Sequence, residues 1–291
     1  MGISALGILF SVIAMVTMGL AVAMAKKPAQ EIGVRRFVFW RQALTSTLLF
    51  ITLVVSGQNW QFSTGYFALE LVIAAASYIA LISAYRSLTT GKIGVVAPIV
   101  SSSAIVTVLF SVAFLGESLN AAQAAAVGVT LLGIVLLSVD FSDFGKSDIF
   151  RISSGVPLAL VACLVWGVTY ALYKIPIAVL GPLLAAFAIE FGSFLPNVPA
   201  NILTKTSFKF PGGKTTTQII IIGILAAAST LFFNLGISVS GGEVALVAAI
   251  TFSNPIVSSL YGLFVYKEKL NTRQWLALGL TVAGIIGISV F

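Results

Sequence analysis

One acidic residue, Glu190, lies near the middle of an apolar run that covers residues 179–201. Ser193 and Asn197 follow it by three and seven residues, so a helix would carry all three on one face. At the midplane of a bilayer a comparable charge costs roughly 2.5–3.5 kcal/mol, and such residues mark ion or substrate pathways. We therefore favour a carboxylate that binds a proton or a cation in a cavity. The alternatives are a structural ion pair and a protonated, hydrogen-bonded Glu.

A basic residue, Arg41, lies about two turns into another apolar run, residues 34–56. If both runs faced one cavity, Arg41 and Glu190 would be able to form an ion pair. Alternatively, the long Arg41 side chain reaches the membrane surface beside Arg35 and Arg36. The sequence leaves both interpretations open.

Trp166, Tyr170 and Lys174 recur at every fourth position of a third run, and Tyr173 adjoins them. Such a stripe can stack on a ring or hold a cation against its π faces. It is equally typical of an aromatic belt that anchors one end of a helix at the membrane surface.

Shorter polar stripes occur on other apolar runs. They either line a wet pathway or join helices through hydrogen bonds. Pro98 and Pro255 each free a backbone carbonyl within such a run, and breaks of this kind are common at transporter sites. The stripes are Thr230, Asn234 and Ser238; Thr251, Asn254 and Ser258; and Ser103 and Thr107, with Tyr78 as a further candidate site residue.

The residue types exclude several kinds of chemistry. The chain has no His and a single Cys, Cys163, inside an apolar run, so the commonest general base and metal ligand are absent. One carboxylate lies in the middle of an apolar run, and with no His and a single Cys the usual catalytic constellations cannot be assembled around it. We expect no cofactor, no metal and no enzymatic activity.

Composition predicts the surroundings of these residues. The 291 residues are 59% hydrophobic and 9% charged, whereas a soluble domain is roughly 45–50% apolar and about 25% charged. A helix needs about 20 mainly apolar residues to cross a bilayer. Ten runs fit this length, and we number them spans 1 to 10: residues 3–25, 34–56, 68–88, 93–115, 119–139, 152–174, 179–201, 217–238, 243–266 and 272–291.

The spans form two related halves. At an offset of 151, residues 94–139 align with residues 245–290 without a gap, and Glu117 meets Glu268. At an offset of 148, Gly19, Lys26, Pro28 and Gly33 match Gly167, Lys174, Pro176 and Gly181. Each half holds five spans, and an odd number means that the second half enters the membrane from the opposite side. We expect an all-α membrane protein with inverted repeats at residues 1–140 and 152–291, an arrangement associated with secondary transporters.

The order of these features resembles the EamA-type drug/metabolite transporter superfamily over essentially the whole chain. The residues that carry the resemblance are Trp166, Gly167 and Lys174 in span 6, and Gly116-Glu117 and Lys267-Glu268 after the fourth span of each half. The resemblance implies a secondary transporter whose central cavity is lined by the first four spans of each half. Spans 5 and 10 would then pack at the periphery. It implies no particular substrate.

The orientation in the membrane follows from the basic residues. Of the 15 Lys and Arg residues other than Arg41, 14 lie in connections after odd-numbered spans, and Lys174 lies after an even-numbered one. We call the face with the odd connections the basic face, and the face with both termini and the even connections the terminal face. The positive-inside rule predicts a cytoplasmic basic face, whereas the family resemblance implies cytoplasmic termini.

The leading hypothesis is therefore a transporter that moves a small polar organic solute, for example an amino acid, by alternating access. On this hypothesis transport is coupled to protons. The protein lies in the lipid bilayer of a prokaryotic cytoplasmic membrane as a monomer or weak homodimer. Nucleic acid is not expected as a partner, because the basic residues lie in short connections between apolar runs and not on a continuous basic surface. A facilitative channel or uniporter is the first rival, and a membrane-embedded enzyme is the second.

Overall fold

A computed structural model describes residues 3–57, 61–91, 96, 99–138, 155–265, 267 and 269–291. The regular elements among these residues are all helices, and they form ten spans, as predicted. Eight spans are long and apolar enough to cross a membrane, whereas spans 4 and 5 are shorter apolar helices. The single-helix spans are span 1, Ala5–Ile32; span 2, Val34–Val55; span 3, Thr64–Thr90; span 4, Ser103–Phe114; span 5, Ala121–Ser138; span 8, Gly213–Val239; and span 10, Thr272–Val290.

The other three spans are each built from two helices. Span 6 comprises Val156–Leu172 and Lys174–Leu180, span 7 comprises Pro182–Phe194 and Asn197–Leu203, and span 9 comprises Val244–Thr251 and Pro255–Val265. Pro176, Pro196 and Pro255 stand at or just after the breaks, because proline lacks the N–H that continues a helix. The break predicted at Pro255 is confirmed, and Pro98 lies outside the described residues.

Spans 1, 3, 6 and 8 are longer than the sequence indicated. Span 1 continues through Lys26, Lys27 and Pro28 to Ile32, and span 3 extends to Thr90 and includes Arg86. The prediction that these basic residues lie in loops was wrong, because the helices extend into the polar zone at the basic face. Gly33, with a φ of 83°, ends span 1.

The two halves repeat in backbone conformation. Gly33 and Gly181 join the first two spans of each half with φ values of 83° and 76°. Gly116 and Lys267, which are 151 residues apart, follow the fourth spans with φ values of 69° and 55°. The left-handed region favours glycine, so Lys267 adopts this conformation because the repeat requires it there.

Contacts between spans 5 and 10 show that the halves are inverted. Gly133 packs against Thr281, and Gly284 packs against Thr130. The offset of 151 relates Thr130 to Thr281 and Gly133 to Gly284. Exchanging the two halves therefore converts one contact into the other. The later residue of one span meets the earlier residue of its partner, so the two spans are antiparallel. They pack mainly on each other and make fewer contacts with span 9.

Candidate functional site

A cavity lies at mid-depth between spans 1, 2, 3, 6, 7, 8 and 9. Its volume in this conformation is about 90 Å³, which is below the roughly 300–1,000 Å³ of typical ligand pockets. Span 4 contributes none of its described residues to the wall. The expectation that the fourth span of each half lines the cavity therefore fits span 9 but not span 4.

Arg41 and Glu190 face each other in this cavity. Arg41 Nη1 lies 3.9 Å from Glu190 Oε2, and both side chains are largely buried, at 13% and 7% exposed. Thr230 Oγ1 donates to Glu190 Oε1 at 2.5 Å, and Arg41 Nη1 donates to Gln42 Oε1. They are the two charged side chains among the described lining residues, so the wall is electrically neutral but strongly polar.

The Arg41 guanidinium is only partly satisfied. Its Nε lies buried without a hydrogen-bond partner among the described residues, and the 3.9 Å separation from Glu190 exceeds hydrogen-bond length. Leaving a buried donor unpaired costs about 1–3 kcal/mol. The guanidinium therefore retains donor capacity for a carboxylate, which it can bind through two parallel N–H groups.

Aromatic rings form the wall of the cavity nearest the terminal face. The Tyr170 ring lies 4.7 Å from Phe252 and 5.6 Å from Phe233, measured between centroids. Tyr173 and Trp166 extend this aromatic group at 5.7 and 6.2 Å from Tyr170. Such rings can pack against an apolar group or bind a cation on their π faces.

The lining follows the internal repeat. Met18 and Trp166, Val22 and Tyr170, and Gln42 and Glu190 are pairs separated by 148 residues, and all six residues line the cavity. The pseudo-twofold axis therefore passes through the cavity. Glu190 corresponds to Gln42, which is 1% exposed.

The terminal face is closed by an ionic cluster between the halves. Glu117, in the connection after span 4, accepts hydrogen bonds from the backbone N–H groups of Val244 and Ala245 at 2.9 and 2.8 Å. Lys174 Nζ donates to the same carboxylate at 2.9 Å. An anion at a helix N-terminus is electrostatically favoured, so this cluster fixes span 9 against spans 4 and 6.

The opposite side of the cavity is formed by residues that lie nearer the basic face. Arg41, Tyr85 and Val22 lie in the halves of spans 2, 3 and 1 that are nearest this face. Beyond them a depression at the basic face is lined by Arg35, Arg36 and Arg86. The two sides of the cavity therefore differ: the aromatic group and the Glu117 cluster lie towards the terminal face, and an arginine-lined depression lies at the basic face.

The structure brings together four of the ten candidate site residues, namely Glu190, Arg41, Trp166 and Tyr170. Lys174 belongs to the cluster at the terminal face and not to the cavity. The predicted stripe is therefore divided between two locations, because the helix break at Tyr173 redirects the chain after Tyr170.

The other five candidates lie among the helices rather than in the cavity wall. Asn197 donates to Ser193 O, Asn234 to Pro182 O, and Asn254 to Met18 Sδ. Ser103 is buried near Gly167, and its carbonyl accepts from Thr107 Oγ1. Tyr78 packs in an apolar cluster with Phe37 and Tyr85. Their roles in substrate binding remain predictions.

Several cavity residues were not singled out from the sequence. Ser77, Tyr85 and Gln42 line the wall, and Glu70 is fully buried nearby in span 3. The repeat was the available signal for Gln42, because it lies 148 residues before Glu190. The repeat gave no acidic counterpart for Glu70, and the available signal was an acidic residue near the start of an apolar run.

The comparison with protein families agrees with this geometry. The model of the EamA-like transporter family matches residues 5–139 and 153–290, which is nearly the whole chain. The chain belongs to the EamA-like transporter family. It is therefore a membrane transporter of the drug/metabolite transporter superfamily rather than an enzyme. No curated protein matches its sequence.

Solved structures share the fold. One crystal structure, described only as that of a protein, superposes with a TM-score of 0.77 at 16% sequence identity. The alignment covers 98% of this chain and 96% of the other one. At this identity the likeness concerns the arrangement of helices and not the substrate.

Proposed function

We propose that this EamA-like transporter moves a small zwitterionic solute with an apolar or aromatic side group, such as an amino acid, by alternating access. The single observation that carries the proposal is the Arg41–Glu190 pair, which offers a cation and an anion 3.9 Å apart in one cavity. A substrate carboxylate would bind the Arg41 guanidinium. Its ammonium group would bind Glu190, and its side group would pack against Tyr170, Phe233 and Phe252.

A neutral cavity suits a zwitterion better than a solute of one charge. A lone anion or cation would have to compete with the existing Arg41–Glu190 attraction and leave the other residue unpaired, which is unfavourable when the charge is buried. A zwitterion replaces the internal pair with two external pairs. Hydroxyl groups of Ser77, Ser229 and Thr230 in the wall can hydrogen-bond to its polar atoms.

Alternating access is supported by the closed terminal face together with the inverted halves. The closure uses contacts between the halves, and exchanging the conformations of the two repeats would break it and form the corresponding closure at the basic face. A channel or uniporter is the second candidate. The aromatic group and the Glu117 cluster between the cavity and the terminal face argue against a continuously open channel.

The sequence hypothesis also couples transport to protons through Glu190. The Arg41 guanidinium and the Thr230 hydroxyl both contact the Glu190 carboxyl, so the contacts support substrate binding by this residue more directly than proton exchange. We place the protein in a prokaryotic cytoplasmic membrane as a monomer or weak homodimer, in line with the sequence predictions.

The binding experiment compares matched fragments of one probe. We expect phenylalanine to raise the melting temperature of the purified protein in detergent, and 2-phenylethylamine and 3-phenylpropanoate, which each carry one charge, to have little effect. Arg41→Gln should abolish the response, whereas Arg36→Gln, on the same span but at the basic face, should retain it. A response to the amine or acid alone that equals the response to phenylalanine would exclude the zwitterion proposal.

A further inference from the structure

A second carboxyl group, that of Glu70, is buried in span 3 outside the cavity wall. Its side chain is 0% exposed, and neither carboxyl oxygen has a hydrogen-bond partner among the described residues. Transferring a charge from water to an apolar site is very unfavourable when nothing pairs with it. The surroundings of Glu70 therefore favour the neutral acid in this conformation.

The internal repeat shows that packing does not require a carboxyl group at this position. Ser193 Oγ donates to Ala74 O at 3.0 Å, and Thr45 Oγ1 donates to Gly223 O at 3.4 Å. Ser193 and Thr45 are 148 residues apart, so these bonds are equivalent and Ala74 corresponds to Gly223. One helical turn earlier, Glu70 therefore corresponds to Ile219.

Ile219 is 0% exposed and packs in an apolar cluster with Phe37 and Tyr85. The same position thus takes a fully buried isoleucine in one half and a fully buried glutamate in the other. An apolar side chain would satisfy the packing of span 3 without the cost of a buried carboxyl. Glu70 is consequently a candidate for a function that needs an ionisable group.

Among the residues that the structure describes, the groups that face Glu70 supply no positive charge. Span 3 packs mainly against spans 6 and 7 and less extensively against spans 1 and 2, whose charged residues lie in the halves nearest the basic face. Tyr173 of span 6 is the titratable group within electrostatic range of the Glu70 carboxyl, and Lys174 of the same span is engaged by Glu117. On span 7 the charged residue is Glu190, which faces Arg41 in the cavity.

Tyr173, which lies within electrostatic range of this carboxyl, also lines the cavity. Its hydroxyl donates to Ser77 Oγ at 2.7 Å, and Ser77 Oγ lies 2.8 Å from Thr169 Oγ1. Tyr173 and Ser77 both line the cavity, whereas Glu70 lies one turn before Ile73, in the part of span 3 nearest the closed terminal face. Opening of that face would separate the elements that bury Glu70 and admit water to it.

We propose that Glu70 is a proton-binding site that couples transport to the proton gradient, separate from the Arg41–Glu190 site that binds the substrate. Glu70 holds its proton while the terminal face is closed and exchanges it with water when that face opens. The inference rests on the proposed alternating-access function. It differs from the sequence hypothesis in placing proton exchange on Glu70 rather than on Glu190.

Transport in proteoliposomes tests the role of Glu70. A gradient of about one pH unit can support about tenfold accumulation per coupled proton, since about 1.4 kcal/mol corresponds to a factor of ten. We expect Glu70→Gln to retain counterflow exchange of labelled phenylalanine and to lose accumulation driven by the pH gradient. Glu70→Ile, the residue that the other half carries, should behave in the same way and provides a second variant if the first folds poorly.

Carbodiimide labelling tests protonation in the unmodified protein. Dicyclohexylcarbodiimide reacts with protonated carboxyl groups in apolar surroundings, so peptide mass spectrometry should find the modification at Glu70 and little at Glu190. Labelling at Glu70 should decrease as the pH rises.

The two experiments separate this inference from the proposed function. Missing counterflow in the unmodified protein would remove the proposed function and the inference together. Three results would overturn the inference alone. The first is counterflow with undiminished gradient-driven accumulation in Glu70→Gln. The others are counterflow without such accumulation in the unmodified protein, and an unlabelled Glu70.

Discussion

Arg41 Nη1 lies 3.9 Å from Glu190 Oε2, across the boundary between the two halves of the protein. The repeat pairs Glu190 with Gln42, so strict symmetry would place an amide opposite a carboxylate. Arg41 is the neighbour of Gln42 and supplies the positive charge. This departure from symmetry gives the cavity one cationic and one anionic end, which a symmetric site would lack.

Neutralising Glu190 should affect stability as well as binding. In Glu190→Gln the Arg41 guanidinium loses its counterion. We expect the free energy of unfolding to fall by up to about 3 kcal/mol. This is the lower end of the range for breaking a buried ion pair, because the cavity admits water. The double variant Arg41→Gln/Glu190→Gln should recover much of this loss, as thermal unfolding in detergent would show.

The same variant separates the two roles of Glu190. If Glu190 carries the coupled proton instead, Glu190→Gln should be stable, keep substrate exchange and lose accumulation driven by a pH gradient. Glu31→Gln, an exposed acid on span 1, is the control for removing one negative charge.

The orientation in the membrane can be tested by cysteine labelling. Because the basic face carries 14 of the 15 Lys and Arg residues other than Arg41, the positive-inside rule places it in the cytoplasm. In a Cys163→Ala background, a cysteine at Lys209 should be shielded from an impermeant reagent in intact cells, and one at Asn59 should react. The reverse pattern would show that the family orientation prevails.

The cluster at the terminal face should control opening. Glu117→Gln removes the charge that binds Lys174 and the N–H groups of Val244 and Ala245, so the closed conformation should lose stability relative to the opposite one. A cysteine at Thr251, which is 1% exposed, should then react faster with reagent added from the terminal face. Equal rates with and without the substitution would argue that the cluster does not hold this face closed.

Spans 5 and 10 offer a test of the inverted repeat. A Cβ at Gly133 would lie 2.7 Å from Thr281 N, and one at Gly284 would lie 2.6 Å from Thr130 N. We expect Gly133→Ala and Gly284→Ala each to destabilise the protein by about 1–3 kcal/mol through overpacking. Gly128→Ala and Gly279→Ala, on the same spans but facing open space, should be neutral or slightly stabilising. Unfolding measurements in which all four variants behave alike would contradict the packing.

The sequence predicted the architecture well because its signals are local or repetitive. Ten apolar runs and two alignment offsets were enough to predict ten spans in inverted halves. The ends of spans 1 and 3 were misplaced, because Lys26, Lys27 and Arg86 read as loop residues although a helix can carry them at the membrane surface. The break at Tyr173 had a signal in Pro176 that was not used.

The site was predicted less completely, because cavity exposure depends on how helices rotate against one another. Glu190, Arg41, Trp166 and Tyr170 were found from polarity and spacing. The same reasoning placed Lys174 with them, although the helix break carries it towards Glu117. Glu70 was overlooked, since its significance lies in the absence of a partner and in its equivalence to Ile219, and both become visible only in three dimensions.

Counterflow in proteoliposomes tests the central claim, alternating access of a zwitterionic solute to one site, most directly. The purified protein is reconstituted, the vesicles are preloaded with unlabelled phenylalanine, and uptake of labelled phenylalanine is followed without any ion gradient. The account predicts saturable uptake that preloading accelerates and that Arg41→Gln abolishes. Uptake that is linear in concentration and indifferent to preloading would identify a channel, and no uptake above that of empty vesicles would contradict transport of this class of solute.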